Sequence, residues 1–238
     1  MKVVIFGGNG GIGSALVKEV ALRFAGAEVV ATWNARKPRE DLLELLNVRW
    51  EQVDVGSEPS IRGFAESFDS LHWLINTVGL LHGDAHLPEK SIEQIDPAFF
   101  LKNIQINSLP TLLIAKHFKR ALQHTQPAQF TTVSARVGSI EDNRLGGWHS
   151  YRCSKAALNM AIKNISIEWR RTLPNVCVSA LHPGTTDTAL SEPFQRNVPA
   201  GKLFTAENTA GCLIDQLVNL TPADSGKFLA YDGKEIPW

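Results

Sequence analysis

The chain of 238 residues has little cysteine, no net charge and no long apolar run. Each shortage removes a class of function. The three cysteines, Cys153, Cys177 and Cys212, are odd in number and scattered, without CxxC or Cys/His ligand spacing. That sets aside a disulfide framework or a zinc module, and reduced thiols suit a cytosolic protein. Lysine plus arginine (24) balance aspartate plus glutamate (24), with no long block of one sign. Nucleic acid and anionic membrane both call for a dense basic face, so neither is expected as the main partner. No stretch approaches the roughly 20 apolar residues of a membrane span. Strand-like residues begin at Val3, so no leader is expected before them. Internal repeats, low-complexity tracts and linkers are also missing. The expectation is one soluble, cytoplasmic domain over residues 1–238, a length suited to one sizeable core and awkward for two.

Short apolar runs alternate with helical periodicity. Residues 3–6, 28–32, 48–53, 71–76, 129–134, 176–181 and 228–231 predict seven strands. Ile12, Leu16, Val20 and Phe24 recur at spacing four, as a helix packed on a sheet requires. Further helices are predicted near 42–46, 61–68, 99–122, 151–171 and 207–220. This alternation predicts an α/β fold, a single-domain, Rossmann-type, doubly wound parallel sheet with helices on both faces. Ligands of such sheets bind beyond the carboxyl ends of the strands, where strand order reverses. The long irregular segments 79–97 and 184–203 are the candidates for pocket walls or a lid.

Between the first strand and first helix lies Gly7-Gly8-Asn9-Gly10-Gly11-Ile12-Gly13. Glycine lets the backbone take unusual angles and approach a ligand closely. Phosphates can then sit at the helix N-terminus, where unpaired N–H groups and the dipole favour anions. A dinucleotide pyrophosphate suits such a junction, and a tight connection without a ligand is the plainer alternative. After the second strand the chain reads Thr32-Trp33-Asn34-Ala35-Arg36-Lys37-Pro38-Arg39, with no acid before Glu40. A carboxylate there would accept from the adenosine ribose and repel a 2′-phosphate. Without one, Arg36 can fork onto a phosphate with Lys37 beside it. The stretch leans toward NADP over NAD, the alternative being a solvated basic loop.

Tyr151-Arg152-Cys153-Ser154-Lys155 sets a tyrosine and a lysine on one helix face, with Cys153 on another. An ammonium there favours phenolate and is expected to lower the tyrosine pKa toward working pH. The alternative is an exposed ring beside an exposed charge. A nucleotide cradle and a tuned proton donor in one chain point to an oxidoreductase. Asn107 is a mediocre helix former with Pro110 close behind, which predicts a local kink. His82, His86 and His149 have no metal-ligand spacing and read as loop histidines. Trp148 is a candidate for the substrate wall, or else for packing or a dimer contact.

Over essentially its whole length the chain resembles the short-chain dehydrogenase/reductase family. Gly7-x-x-x-Gly11-Ile12-Gly13 is similar to that family's TGxxxGIG turn, with Phe6 where threonine is usual. Asp54-Val55 resembles its adenine-contacting pair, and Asn76-Thr77-Val78-Gly79 its NNAG stretch. Asn107 falls where the family's fourth helix carries an active-site asparagine, and Tyr151-x-x-x-Lys155 matches the catalytic signature. Pro183-Gly184-Thr185-Thr186-Asp187-Thr188 resembles the segment that holds the nicotinamide end. Ser134-Ala135-Arg136-Val137-Gly138-Ser139-Ile140, Gly146-Gly147-Trp148 and the Tyr-Arg-x-Ser-Lys run resemble a narrower, C-factor-like branch. That branch includes small carbonyl reductases and a protein associated with cell–cell signalling.

The resemblance implies nucleotide contacts at Gly7, Asn9, Gly10, Gly11, Ile12, Gly13, Trp33, Asn34, Arg36, Asp54, Val55, Asn76, Gly79, Tyr151, Lys155, Pro183, Gly184, Thr186 and Thr188, and no metal. It implies that a hydride passes between a nicotinamide cofactor and a small carbonyl or alcohol, that Tyr151 exchanges a proton with the substrate oxygen, that Lys155 bonds the nicotinamide ribose, and that Asn107 holds a water linking Lys155 to solvent. A homodimer or homotetramer through the helices near 99–122 and 151–171 is also implied. The family's catalytic serine position is Ala135 here, preceded by Ser134. Neighbouring strand residues face opposite ways, so Ser134 is expected to aim away from the pocket unless the strand has already ended. Three readings follow: Ser134 serves through altered backbone, Ser139 reaches in, or no serine assists. A nucleotide-binding sensor or signalling protein with weak turnover is the rival function, and Ala135 is the residue that argues for it.

Overall fold

The computed structural model describes residues 1–83 and 86–238, so Asp84 and Ala85 of the predicted 79–97 segment lie outside the described residues. Seven strands form one parallel sheet: β1 (Lys2–Phe6), β2 (Glu28–Trp33), β3 (Val48–Gln52), β4 (Trp73–Asn76), β5 (Ala128–Val133), β6 (Val176–His182) and β9 (Lys227–Ala230). Their order is β3-β2-β1-β4-β5-β6-β9, so the direction of winding reverses between β1 and β4. All seven predicted strands are present. Two further strands, β7 (Thr185–Thr186) and β8 (Leu203–Phe204), pair in parallel at the base of the 184–203 segment, which the sequence reading left irregular.

Alternation along each strand separates two cores. Val4, Phe6, Phe130 and Val178 face one side, packed under α3 (Glu58–Ala65), α5 (Leu109–Phe118) and α6 (His149–Thr172). There Phe6 meets Phe118 and Phe64 edge-on, at centroid distances of 5.6 and 5.7 Å. Val3, Ile5, Ile75 and Leu181 face the other side, covered by α1 (Gly11–Arg23) and α7 (Ala206–Asn219). The short α2 (Glu40–Leu43) starts and ends earlier than the predicted 42–46.

The predicted helix over 99–122 is two helices, α4 (Pro97–Asn107) and α5, broken at Ser108. The predicted kink is therefore a full break, because Pro110 has no N–H to continue the ladder. Asp96 caps α4 by accepting the Phe99 N–H at 2.8 Å. Among the described residues no helix is long and apolar enough to cross a membrane.

Candidate active site

The carboxyl ends of β1, β4, β5 and β6 open into a cleft of about 730 Å³ at the point where strand order reverses. Its floor at one end is the glycine turn. Gly7 takes φ +74°, in the left-handed region, and its N–H donates to Thr32 Oγ1 at 3.1 Å. A Cβ on Gly13 would sit 2.1 Å from the Gly7 carbonyl oxygen, so helix and turn close up only without a side chain. Thr77 Oγ1 locks the turn from below, donating to the Phe6 and Gly7 carbonyls at 2.8 and 3.2 Å. The α1 N-cap, Gly10, offers no side chain, and no acid stands in the first turn. The first N–H groups of α1 are left for an anion. Asn9, Gly10, Gly11, Ile12 and Gly13 all line the cleft here.

Trp33, Asn34, Arg36, Asp54 and Val55 continue the lining past β2 and β3. Asn9 Nδ2 donates to the carbonyls of Arg36 and Lys37 at 2.9 and 3.1 Å, which ties the basic loop to the glycine turn. Asp54 Oδ1 accepts from the Gly56 N–H at 2.9 Å and from Asn34 Nδ2 at 3.5 Å. Arg36 is exposed at the rim, whereas Arg39 is paired with Asp41 at 3.0 Å. An uncapped helix start, a turn closed by Gly13 and a polar rim past β2 fit a dinucleotide.

At the other end α6 presents Tyr151 and Lys155, both buried. Lys155 Nζ donates to the Val133 carbonyl at 3.1 Å and lies 5.8 Å from the centre of the Tyr151 ring. Burial pushes the Tyr151 phenol above its usual range and pulls Lys155 down to about 8. Burial therefore acts against the lowering expected from the neighbouring ammonium. Pro183, Gly184, Thr186, Thr188 and Gly79 complete this part of the lining.

Ser134 lines the wall, but its hydroxyl donates to Asn159 Oδ1 of α6 at 2.6 Å. Ser139 Oγ accepts from the Asp142 N–H at 3.1 Å and reaches the Trp238 carbonyl at 3.5 Å. Ala135 stands in the wall between Ser134 and Arg136.

Two predicted contacts are not in the lining. Asn76 is buried, donating to Thr111 Oγ1 at 2.9 Å and accepting the Val78 N–H at 3.0 Å. Asn107 is buried as well. Its Oδ1 takes the Leu80 N–H at 2.7 Å, and its Nδ2 reaches the Leu80 carbonyl and Ser154 Oγ, each at 2.8 Å. Bonded to both the N–H and the carbonyl of Leu80, Asn107 clamps the start of the 79–97 segment.

Other wall residues escaped the sequence reading. Phe194, on a 3₁₀ turn over Glu192–Asn197, packs on Trp148 with centroids 4.9 Å apart. His182, at the end of β6, accepts the Arg136 N–H at 3.3 Å, and burial lowers its pKa to about 4. Leu81, Val137 and Leu190 make this end apolar. No spacing signal marks Phe194 or His182. Trp148 itself takes φ +50° as the residue before α6. His82 Nε2 lies 3.1 Å from the Ala189 carbonyl, and His86 stacks on Phe99 at 4.8 Å.

The family model for short chain dehydrogenases matches residues 1–199. The chain belongs to that family. It is therefore a nicotinamide-dependent oxidoreductase by fold and lineage, acting on a small molecule. It is 33% identical over 186 residues to 1-hydroxy-2-glutathionyl-2-methyl-3-butene dehydrogenase of Rhodococcus sp. (strain AD45), covering 78% of each chain. To the C-signal protein of Myxococcus xanthus it is 32% identical over 149 residues, 62% of this chain and 84% of that one. Among solved structures, the NADPH-bound carbonyl reductase from chicken fatty liver superimposes with a TM-score of 0.86 at 27% identity, covering 100% of this chain and 94% of that one.

Proposed function

We propose that this dehydrogenase is an NADP-preferring reductase of small apolar carbonyl compounds, with Tyr151 as proton donor and no serine assisting. The observation that carries the reading is the buried Tyr151–Lys155 pair at the mouth of an apolar wall made by Trp148, Phe194, Leu81 and Val137. When bound, the nicotinamide supplies the hydride. Tyr151 begins as a phenol, the form its burial favours, and gives its proton to the carbonyl oxygen as charge develops there. Lys155, tethered by the Val133 carbonyl, holds the nicotinamide ribose and steadies the phenolate left behind. The neutral His182, the aromatic Trp148 and the aliphatic wall favour an uncharged substrate. Arg36 at the rim, with no acid at the end of β2, supports the choice of NADP. The NADPH in the avian carbonyl reductase agrees with that choice.

NADPH and NADH oxidation against aldehydes, ketones and quinones, with wild type beside Tyr151→Phe, tests this reading. Turnover in the mutant should fall about 1,000-fold with nucleotide affinity kept. A mutant as active as wild type would remove Tyr151 from the mechanism. A second reading, a nucleotide-binding signalling protein with weak turnover, is favoured by Ala135 and by the engaged hydroxyl of Ser134. Nucleotide binding without turnover across the panel would support it. Exposed Leu101, Leu112, Met160 and Ile167 on α4, α5 and α6 support pairing of two copies through these helices. A light-scattering mass of one chain would exclude that pairing.

A further inference from the structure

Glu89 belongs to the 79–97 segment, on no strand or helix, yet the residue is only 3% exposed. Both carboxylate oxygens are taken by one residue of α6. Oε2 accepts the Ser150 N–H at 3.1 Å, and Oε1 accepts the Ser150 hydroxyl. The Glu89 carbonyl accepts the Trp148 N–H at 2.5 Å. Ser150, fully buried, is the second residue of α6, so its N–H is one of the orphan donors of the first turn. The N-cap position is Trp148, whose side chain makes no cap, and no acid stands in that turn. Glu89 supplies from 61 residues away what a local Asp or Ser N-cap supplies elsewhere.

A helix cap on its own is a stability device. What lifts this one above that role is what it holds. Trp148 and Tyr151, on either side of Ser150, both line the cleft, with ring centroids 6.3 Å apart. Trp148 sits at φ +50°, a backbone angle that an indole-bearing residue keeps only where its surroundings impose it. The Glu89 carbonyl on Trp148 N–H and the carboxylate on Ser150 are two such impositions, one before and one after the helix start. The same segment is fastened a second time where Asn107 clamps Leu80. Leu80 is therefore attached to the end of α4 and Glu89 to the start of α6.

Building on the Tyr151 reading above, we infer that Glu89 is a positioning residue for catalysis. Acting through Ser150, it sets the first turn of α6 so that the Tyr151 hydroxyl and the Trp148 ring meet one substrate in a fixed relation. It touches neither substrate nor nucleotide.

Glu89→Ala, Glu89→Gln and Ser150→Ala test this, assayed with phenanthrenequinone and NADPH and, independently of turnover, by hydrogen exchange of a peptide spanning 146–153. Loss of the anchor should lower kcat about 30-fold in Glu89→Ala, since displacement on the 1 Å scale is enough for such a loss. NADPH affinity should stay within about twofold, because the nucleotide turn lies on other elements. Glutamine keeps an acceptor for the Ser150 N–H and can donate to its hydroxyl, so Glu89→Gln should recover kcat to within about threefold. The double variant should be no slower than Glu89→Ala alone, as for two residues of one link. Exchange over 146–153 should quicken in Glu89→Ala and Ser150→Ala and stay slow in Glu89→Gln. A Glu89→Ala protein that melts earlier with kcat unchanged, or losses that multiply in the double variant, would overturn the inference. If Glu89→Ala does not fold, unchanged kcat in Ser150→Ala overturns it equally. Should wild type reduce no carbonyl, the functional reading fails separately, and exchange over 146–153 alone decides whether Glu89 holds the turn.

Discussion

At the glycine-turn end of the cleft the surface is mostly backbone, the Gly7 turn and the uncapped N-terminus of α1, with Arg36 exposed at the rim. At the substrate end it is side chains held by other side chains. Ser134 is tied to Asn159, Asn107 to Leu80 and Ser154, and Lys155 to the Val133 carbonyl. A surface of backbone tolerates change until a Cβ intrudes, and then fails abruptly. A surface of interlocked side chains degrades by degrees, each loss passed to a neighbour.

The hardest test of that contrast is Gly13→Ala. Its Cβ would meet the Gly7 carbonyl oxygen at 2.1 Å, so the turn must move. Urea unfolding should show a loss of about 3 kcal/mol, with nucleotide binding abolished. Retained binding would mean that the turn yields more readily than its packing implies. Next comes Lys155→Met. Lys155 has a folded pKa of about 8, below its unfolded value. Between about pH 8 and 10.4 the unfolded chain holds the extra proton, so this residue's contribution to stability rises with pH. Methionine removes the buried charge. The variant should be inactive yet more stable than wild type by about 2 kcal/mol at pH 7, with the margin closing toward pH 10. Melting curves at three pH values decide it, and a margin constant with pH would show that Lys155 titrates normally.

Smaller effects separate the two ends further. Arg36→Ala should lower the ratio of kcat/KM for NADPH over NADH about tenfold. An unchanged ratio would return the 36–39 stretch to an ordinary solvated loop. Ala135→Ser adds a hydroxyl at a wall position where none is engaged. A donor aimed at the developing oxyanion should raise kcat about fivefold, well short of what a fully preorganised one supplies. A fall in kcat would show that the wall is packed against a side chain of that size.

The glycine turn at the first strand–helix junction was legible because its signals are local. Glycines a few residues apart, a short apolar strand before them and a helical repeat after them suffice. The strands were legible for the same reason, each being a short apolar run. Tyr151 and Lys155 share a helix face by spacing alone. Glu89 and Ser150 are 61 residues apart, and Asn107 and Ser154 are 47 apart, so no window of sequence contains both partners. The fate of Ser134 depended on an asparagine two helical turns beyond Tyr151. The direction of the tyrosine's pKa depended on burial, which spacing does not report. The two-residue strands β7 and β8 are too short to carry a period.

The left-handed angle of Trp148 has a consequence for anyone selecting variants of this protein. Glycine or asparagine takes φ +50° with less strain than tryptophan, so a screen for heat resistance should drift toward them at this position. The ring packed on Phe194 would then be gone, and the wall beside Tyr151 with it. A screen for turnover should hold tryptophan against that drift. The residue thus marks where durability and discrimination pull the same codon in opposite directions.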